Sequence, residues 1–450
     1  MKKFILIFAA LTLCLATACS NTPEDTIEAV NISELEDVTL TISSPNNWMG
    51  LEHFARMYMD DNPGVKIIIN DWDGDFMRYF EQKPLTLMAG TADDLISAQG
   101  FDYRAPSTQA LLADWFPIMR ADPEFNNNNF FMNVFDAMAS NGRLYSLPIA
   151  FNATGLAYNT TIPGVSEEMS GRSNITMSEV HAIHRAFAPD DIFIDSSYDV
   201  LLATGFQIHS FIDFENRTAS FNTPAFINFI TESRKLTHPD KQVGWTFAST
   251  YYSPEVMAEN SHKYLFQQLF TGDPFQFLIP FEEKMTFNGN IPIANKRGEV
   301  LVNAFPSYVL NGRTSPEVQA VAWDFIRFLL DPAIYQMDEE AGFFPWVSMI
   351  PVYRPLLRFN LERQIPGWMD HFNENYGWRL VFDQEETIEY VYNRINELGR
   401  IDIADRVYVP NSISEILQEV IIQFHDGLVT AEQAAEDLQN RITLALMESM

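Results

Sequence analysis

Between residues 38 and 97 the chain reads strand, helix, strand, strand, and that order restricts the fold more than any other feature. Residues 38–43 alternate β-branched and apolar side chains, the two-residue period of a strand. A polar turn over 44–48 leads into 49–61, where Leu51, Phe54, Ala55, Tyr58 and Met59 share one helical face and Asn62-Pro-Gly64 ends the run. Residues 65–69 form a second strand, apolar enough to be buried on both faces, and 94–97 form a third. Parallel strands joined this way need right-handed crossovers, so the spacing predicts an α/β sheet flanked by helices. Ligands of such sheets sit beyond the carboxyl ends of the strands, which aims the loops 46–48, 71–75 and 99–103 at one crevice.

At 450 residues the chain is too long for one typical core, so two domains are expected. The place where the chain changes domain is read at 144–159. Two apolar runs, 144–151 and 155–158, have the bulk of buried strands. Pro148 removes a backbone donor from the first run, which makes it an edge or a crossing segment. Asn152, Thr154 and Gly155 lie between the runs, as suits a hinge whose centre faces a cleft. One β-hairpin inside a single domain fits this stretch equally well.

Lys2 and Lys3 followed by the apolar run 4–15, too short for a comfortable membrane span, read as an export signal. Ala16 and Ala18 make a small-x-small cleavage site, and Cys19 follows it directly. This resembles a bacterial lipobox, which implies a lipid on Cys19, although Ala16 stands where Leu or Val is commoner; simple secretion stays open. Cys14 falls in the removed segment, so the mature chain would hold no disulfide. Residues 20–37 carry six carboxylates and no basic residue, and read as a solvated tether. Sixty acidic against 29 basic residues give a net charge of −31, a field that repels nucleic acid and anionic headgroups.

Further along, 178–187, 223–237 and 255–271 are expected helices, the last carrying Met257, Tyr264, Leu265 and Phe266. Residues 299–310 are strand-like, interrupted by Asn303 and Pro306. Ser315 caps a helix with Pro316 at its first position, Val318, Val321, Ala322, Phe325, Ile326 and Leu329 face inward, and Asp331-Pro332 stops it. Helices follow over 386–398 and 412–425, the latter closed by Gly427. The last helix opens with Thr430 and Gln433 in a capping box and buries Ala434, Leu438, Ile442 and Leu446.

The opening strand, turn, helix, Asn-Pro-Gly and strand, followed by Gly90-Thr-Ala-Asp-Asp-Leu95, resemble the extracellular solute-binding proteins of bacterial ABC importers, family 1, the maltose-binding-protein-like group. Asn141-Gly-Arg-Leu-Tyr-Ser-Leu-Pro148 and Gly155-Leu-Ala-Tyr-Asn159 resemble that family's first interdomain crossing. Residues 322–330 resemble its helix after the second crossing, and 431–441 its last helix. The likeness is carried by the order of these segments and is weakest over 165–290. It implies a two-lobed periplasmic-binding-protein type II fold, each lobe a sheet flanked by helices, joined by hinge crossings. The implied division is 1–18 signal peptide; 19–37 lipidated Cys and tether; 38–148 plus 303–338 lobe 1; 149–302 plus 339–450 lobe 2. The third crossing would be 339–351.

Function follows from the same resemblance: a monomer, lipid-anchored outside the cell, that captures a carbohydrate, an oligosaccharide first, and passes it to ABC permease subunits. An oligopeptide solute, an exported glycan hydrolase and an anchored sensor without transport stay open. No cofactor is implied. Asn47, Trp48, Trp72, Asp73, Asp102, Tyr103, Asn152, Phe275, Phe277, Asn303, Phe344 and Trp346 fall where the resemblance puts the cleft. Aromatic faces stack on sugar rings, and Asn and Asp exchange hydrogen bonds with hydroxyls.

Metal and catalytic chemistry find less support. Asp71-Trp-Asp-Gly-Asp75 has alternating carboxylates, but its glycine is fourth and Gln82 stands where a calcium loop has glutamate, so a structural loop is expected. His181 and His184 share a helix face near Asp190 and Asp191 without a third ligand for zinc, and no metal is expected. No nucleophile elbow, Ser-x-x-Lys, zinc-protease or phosphate-loop pattern occurs.

Overall fold

The computed structural model describes residues 29–45, 50–72, 74–98, 103, 106–187, 193–195, 210–213, 216–236, 264–270, 287–337, 349–376, 383–396, 398–399, 401–403 and 411–448. The chain has the two-lobed α/β fold, with a flanked sheet in each lobe. The first sheet contains β1 (Val38–Ser44), β2 (Val65–Asp71), β3 (Leu95–Ser97), β4 (Ser146–Pro148) and, from much later in the chain, β13 (Ser307–Leu310), in the order β2-β1-β3-β13-β4. β1 runs parallel to β2 and β3, and β13 runs antiparallel to β3 and β4. Pro148 therefore lies on a sheet edge, where its missing donor costs no ladder bond. β2 forms the other edge, so its expected two-faced burial is not met: Val65 and Ile67 point inward, while Lys66 and Ile68 are exposed.

The Leu51–Asp61 helix buries Leu51, Phe54, Ala55 and Tyr58, as its spacing demands. Tyr58 meets Phe325 edge-on, its ring centroid 5.4 Å away, where the Pro316–Leu330 helix packs beside it. That helix is capped as expected, with Ser315 Oγ accepting from Val318 N and Asp331 at its end. Val321, Ala322, Phe325, Ile326 and Leu329 are buried, while Val318 is half-buried. Of the acidic stretch expected as tether, the part from residue 29 onward is seen, and Ile32 and Leu35 pack against the first-lobe core. Gly64 is required there because the Leu35 carbonyl occupies the space a Cβ would fill.

The second sheet is organised around β5 (Ala150–Asn159), which pairs with β10 (Tyr264–Phe270), β11 (Phe287–Ala294), β12 (Val300–Asn303) and β14 (Ile350–Pro351). β7 (Phe193–Asp195) extends it beyond β10, β15 (Ile401–Ile403) beyond β12, and β6 (Ile175–Thr176) pairs with β11. β8 (Ile212–Asp213) and β9 (Thr218–Ala219) form a separate hairpin. The expected helix over 255–271 is corrected here: Tyr264–Phe270 is a strand, held between β5 and β7 with Tyr264, Leu265 and Phe266 buried. Aromatic and branched side chains on two faces suit a strand in mid-sheet better than one face of a helix. The helices Met177–Phe187, Pro224–Lys235, Gln384–Asn396, Asn411–His425 and Ala431–Glu448 lie where they are expected. The last opens with the reciprocal box, Thr430 N donating to Gln433 Oε1 (2.9 Å) and Gln433 N to Thr430 Oγ1 (3.2 Å). Arg354–Tyr376 is a helix that its sequence hides, since Pro366 lies inside it, whereas Pro355 stands in the first turn, where proline is tolerated.

Candidate functional site

Three segments link the sheets, and they lie side by side. The first passes from β4 to β5 through Ile149, the second from β12 to β13 through residues 304–306, and the third reaches β14 after the Pro332–Met337 helix. Ile149 N donates to the Pro306 carbonyl (2.9 Å), and Val352 N donates to the Ile149 carbonyl (3.1 Å). Ile350 pairs with Phe151, and Ile149, Phe151, Ala304, Ile350 and Val352 are all buried. The crossings thus form one backbone-bonded ribbon.

Asn152 and Asn303 stand opposite each other where that ribbon enters the second sheet. Asn303 Nδ2 donates to Asn152 Oδ1 (3.1 Å). Asn303 Oδ1 is buried and has no hydrogen-bond partner among the described residues. A buried acceptor left unpaired costs about 1–3 kcal/mol, so it is a site where an incoming hydroxyl gains more than it would at a satisfied group.

On the first lobe the carboxyl ends of β1 and β3 are tied together by Tyr79. Its hydroxyl donates to the Ser97 carbonyl (2.9 Å), with the Ser43 carbonyl at 3.3 Å, and burial pushes the phenol well above its usual range. Trp72 lies edge-on to Tyr79 and donates its indole N–H to Ser43 Oγ (3.2 Å). Lys83 Nζ sits 4.8 Å from the Trp72 ring centre and pairs with Asp93 at 2.8 Å. The strand ends are therefore sealed from within by the buried Ser43, Tyr79 and Ser97, and Trp72 beside them is half-buried. Asp75 caps the Phe76–Ala89 helix by accepting from Arg78 N (3.1 Å), which gives the acidic loop a structural task.

Of the residues expected at the cleft, Asn152 and Asn303 are brought into contact. Trp72 is held by Ser43, Tyr79 and Lys83, and Tyr103, only 1 % exposed, belongs to the first-lobe core. Asn47, Trp48, Asp73, Asp102, Phe275, Phe277, Phe344 and Trp346 lie outside the described residues, as does Cys19. The tie that Tyr79 makes to Ser43 and Ser97 beneath the strand ends was not legible; Tyr79 falls one turn before Lys83, but Pro84 hides the helix that aligns them. His181 is a packing residue, with Nε2 3.2 Å from Ser233 Oγ and its ring against Phe229. Burial holds its pKa down to about 4, against the opposing pull of Glu232. Among the described residues no cluster of three or more His, Cys, Asp or Glu is placed to hold a metal, and no helix is long and apolar enough to cross a membrane.

No family model matches the sequence, and no curated protein matches it. Solved structures do match over nearly the whole length. The sugar-binding protein MalE from Xanthomonas citri superposes with a TM-score of 0.58 at 14 % identity, covering 92 % of this chain and 98 % of that one. An extracellular solute-binding protein of family 1 from Alicyclobacillus acidocaldarius gives 0.54 at 15 % identity, over 91 % and 99 %. The cyclic α-maltosyl-1,6-maltose binding protein from Arthrobacter globiformis gives 0.52 at 14 %, over 91 % and 99 %. At these identities the likeness establishes the fold.

Proposed function

We propose that this chain is a solute-binding protein of an ABC importer, which captures a carbohydrate, an oligosaccharide first, between its lobes and delivers it to permease subunits in the membrane. The reading rests most on the hinge: three bonded crossings join two sheets, and at their entry Asn303 presents a buried acceptor with no partner among the described residues. Its support from outside is that the similar structures include proteins described as binding sugars. A solute that touches both lobes only in the closed state stabilises that state by its differential affinity, which is all the mechanism requires. Permease subunits would then recognise the closed surface.

In this reading 38–148 plus 303–338 form lobe 1, 149–302 plus 339–450 form lobe 2, and the chain acts as a monomer held outside the cell by lipid on Cys19. Asn47, Trp48, Trp72, Asp73 and Asp102 would supply the first wall, with the buried Tyr103 packed behind them, Phe275 and Phe277 the second, with Phe344 and Trp346 at the third crossing. Calorimetric titration with a panel of maltodextrins, xylo-oligosaccharides and peptides tests it. Saturable sugar binding without product is expected. Product formation would favour the hydrolase, and peptide binding alone would reassign the solute. Trp48→Ala should weaken sugar binding with the melting temperature nearly unchanged; the reverse outcome would make Trp48 a packing residue.

A further inference from the structure

A cavity of about 410 Å³ opens on the first lobe, apart from the hinge asparagines. Aromatic rings supply much of its wall. Phe130 packs against Phe125 and Tyr353, with centroids 5.2 and 5.0 Å apart, and Tyr58 meets Phe328 at 5.4 Å. Tyr353 enters the wall from just beyond the third crossing, because Phe130 and Tyr353 form a β-bridge.

The charges around these rings do not balance. Arg327 pairs with Asp122 and Glu124, both at 2.8 Å, and with Asp324 at 3.4 Å. Glu124, Asp324 and Arg327 reach the cavity surface, and Asp331 adds another carboxylate there. Asp331 Oδ1 accepts from Ala333 N (2.8 Å), and among the described residues it has no cationic partner. Three carboxylates thus hold one guanidinium, Asp331 adds a fourth carboxylate outside that set, and the nearest further cation, Arg354, is turned to the Phe130 carbonyl (3.2 Å). Tyr58 donates to Asp324 (2.7 Å), and burial together with that carboxylate keeps its phenol neutral; Tyr58 and Phe130 back the wall, and the half-buried Phe125, Phe328 and Tyr353 are the rings open to a guest.

An anion entering this space meets like charge, and an apolar guest would strip water from carboxylates without replacing it. A cation wrapped in alkyl groups satisfies both demands, because its charge faces the carboxylates while its methyl or methylene groups lie on the ring faces. We propose that the cavity binds a small organic cation, an ammonium group on a compact alkyl skeleton. This site is independent of solute capture at the hinge.

The test uses the full chain with choline as probe, beside its neutral carbon isostere, in which a tert-butyl group replaces the trimethylammonium. Calorimetric titration at low ionic strength should show saturable choline binding, with the isostere about tenfold weaker or worse. Added salt should weaken choline further. Asp331→Asn, which keeps the helix-capping oxygen, should lower choline affinity several-fold, and Tyr353→Ala about tenfold, with Tyr353→Phe close to the parent. No saturable binding at millimolar choline overturns the proposal. Equal affinity for the isostere overturns it in favour of a neutral guest such as a polyol. Choline binding unchanged by both Asp331→Asn and Tyr353→Ala places the cation elsewhere and also overturns it. Should Tyr353→Ala fail to fold, Asp331→Asn and the isostere decide.

Discussion

The two sheets are built from the same kinds of strand yet are assembled in different ways. In the first, β1, β2 and β3 are consecutive in the chain and pair in parallel, with the intervening helices packed on their faces. In the second, the strands next to β5 come from far along the chain: Tyr158 faces Phe266 on one side and Asn288 on the other. The β2-β1-β3 part of the first sheet can therefore form from local pieces, with β13 and β4 added later, whereas the second must close long loops before the pairings of β5 with β10, β11 and β12 reward it. The apolar side chains separate likewise. One cluster runs from the first sheet through the crossings onto β5, β12 and the Gln384–Asn396 helix, a second joins the Pro224–Lys235, Asn411–His425 and Ala431–Glu448 helices, and a third packs Leu156, Leu265, Phe266 and Ile291 of the second sheet against the Met177–Phe187 helix.

The largest effect should come from emptying these clusters one at a time. Phe325→Ala in the first and Phe226→Ala in the second each remove a fully buried ring and should each cost about 3–5 kcal/mol. Calorimetry should show each variant lowering a different part of the unfolding endotherm. A single transition shifted equally by both would break the contrast between the lobes. Next comes His181, a second-lobe group whose folded pKa, about 4, lies below its ordinary 6.5. The unfolded chain binds the extra proton between these values, so the stability from keeping the ring neutral is full above about pH 6.5. It is lost as pH falls toward 4, by roughly 3 kcal/mol at most. His181→Gln should flatten that part of the stability curve relative to the parent, measured by denaturant unfolding at each pH; an unchanged slope would remove His181 as the cause.

A smaller effect is expected where the lobes meet. Asn152→Ala leaves the Asn303 amide without its acceptor and should cost about 2 kcal/mol, read as a lowered denaturant midpoint. An unchanged midpoint would mean that water replaces the asparagine and that the hinge is wetter than either core. The smallest is Thr430→Ala, which removes one half of the capping box and should cost about 1 kcal/mol. If only the second-lobe transition moves, the assignment of the last helix to that cluster is sharpened.

The contrast also explains how much could be read in advance. The elements of the first lobe were legible because burial there follows local periods, two along β1 and three to four along the Leu51–Asp61 helix. Even so, Ile67 and Ile68 look alike in sequence, and only the edge position of β2 leaves Ile68 in water. In the second lobe Tyr264–Phe270 was misread as helical because a short apolar run carries no period of its own; pairing with β5 and β7 decided it. At the candidate site the hinge asparagines were nameable from their place between apolar runs, but their mutual hydrogen bond was not. Trp72 and Tyr103 could be placed in loops after strands, yet nothing local foretold that one is clasped by Lys83 and the other buried to 1 % exposure.

By itself, then, the chain determined its α/β character and the caps and stops of most helices, while at 144–159 it left a passage between sheets and a simple hairpin equally open. These are short-range matters: a proline without a donor, a glycine or asparagine at a break, a side-chain oxygen reaching a free N–H three residues on. The tertiary structure alone decided which strands are edges, that β5 gathers four partners, and that Asn152 and Asn303 meet. It also decided that five rings and the Arg327 carboxylates line one cavity on the first lobe. Such facts depend on groups brought together from distant positions, and no local period or spacing encodes a distance across a fold.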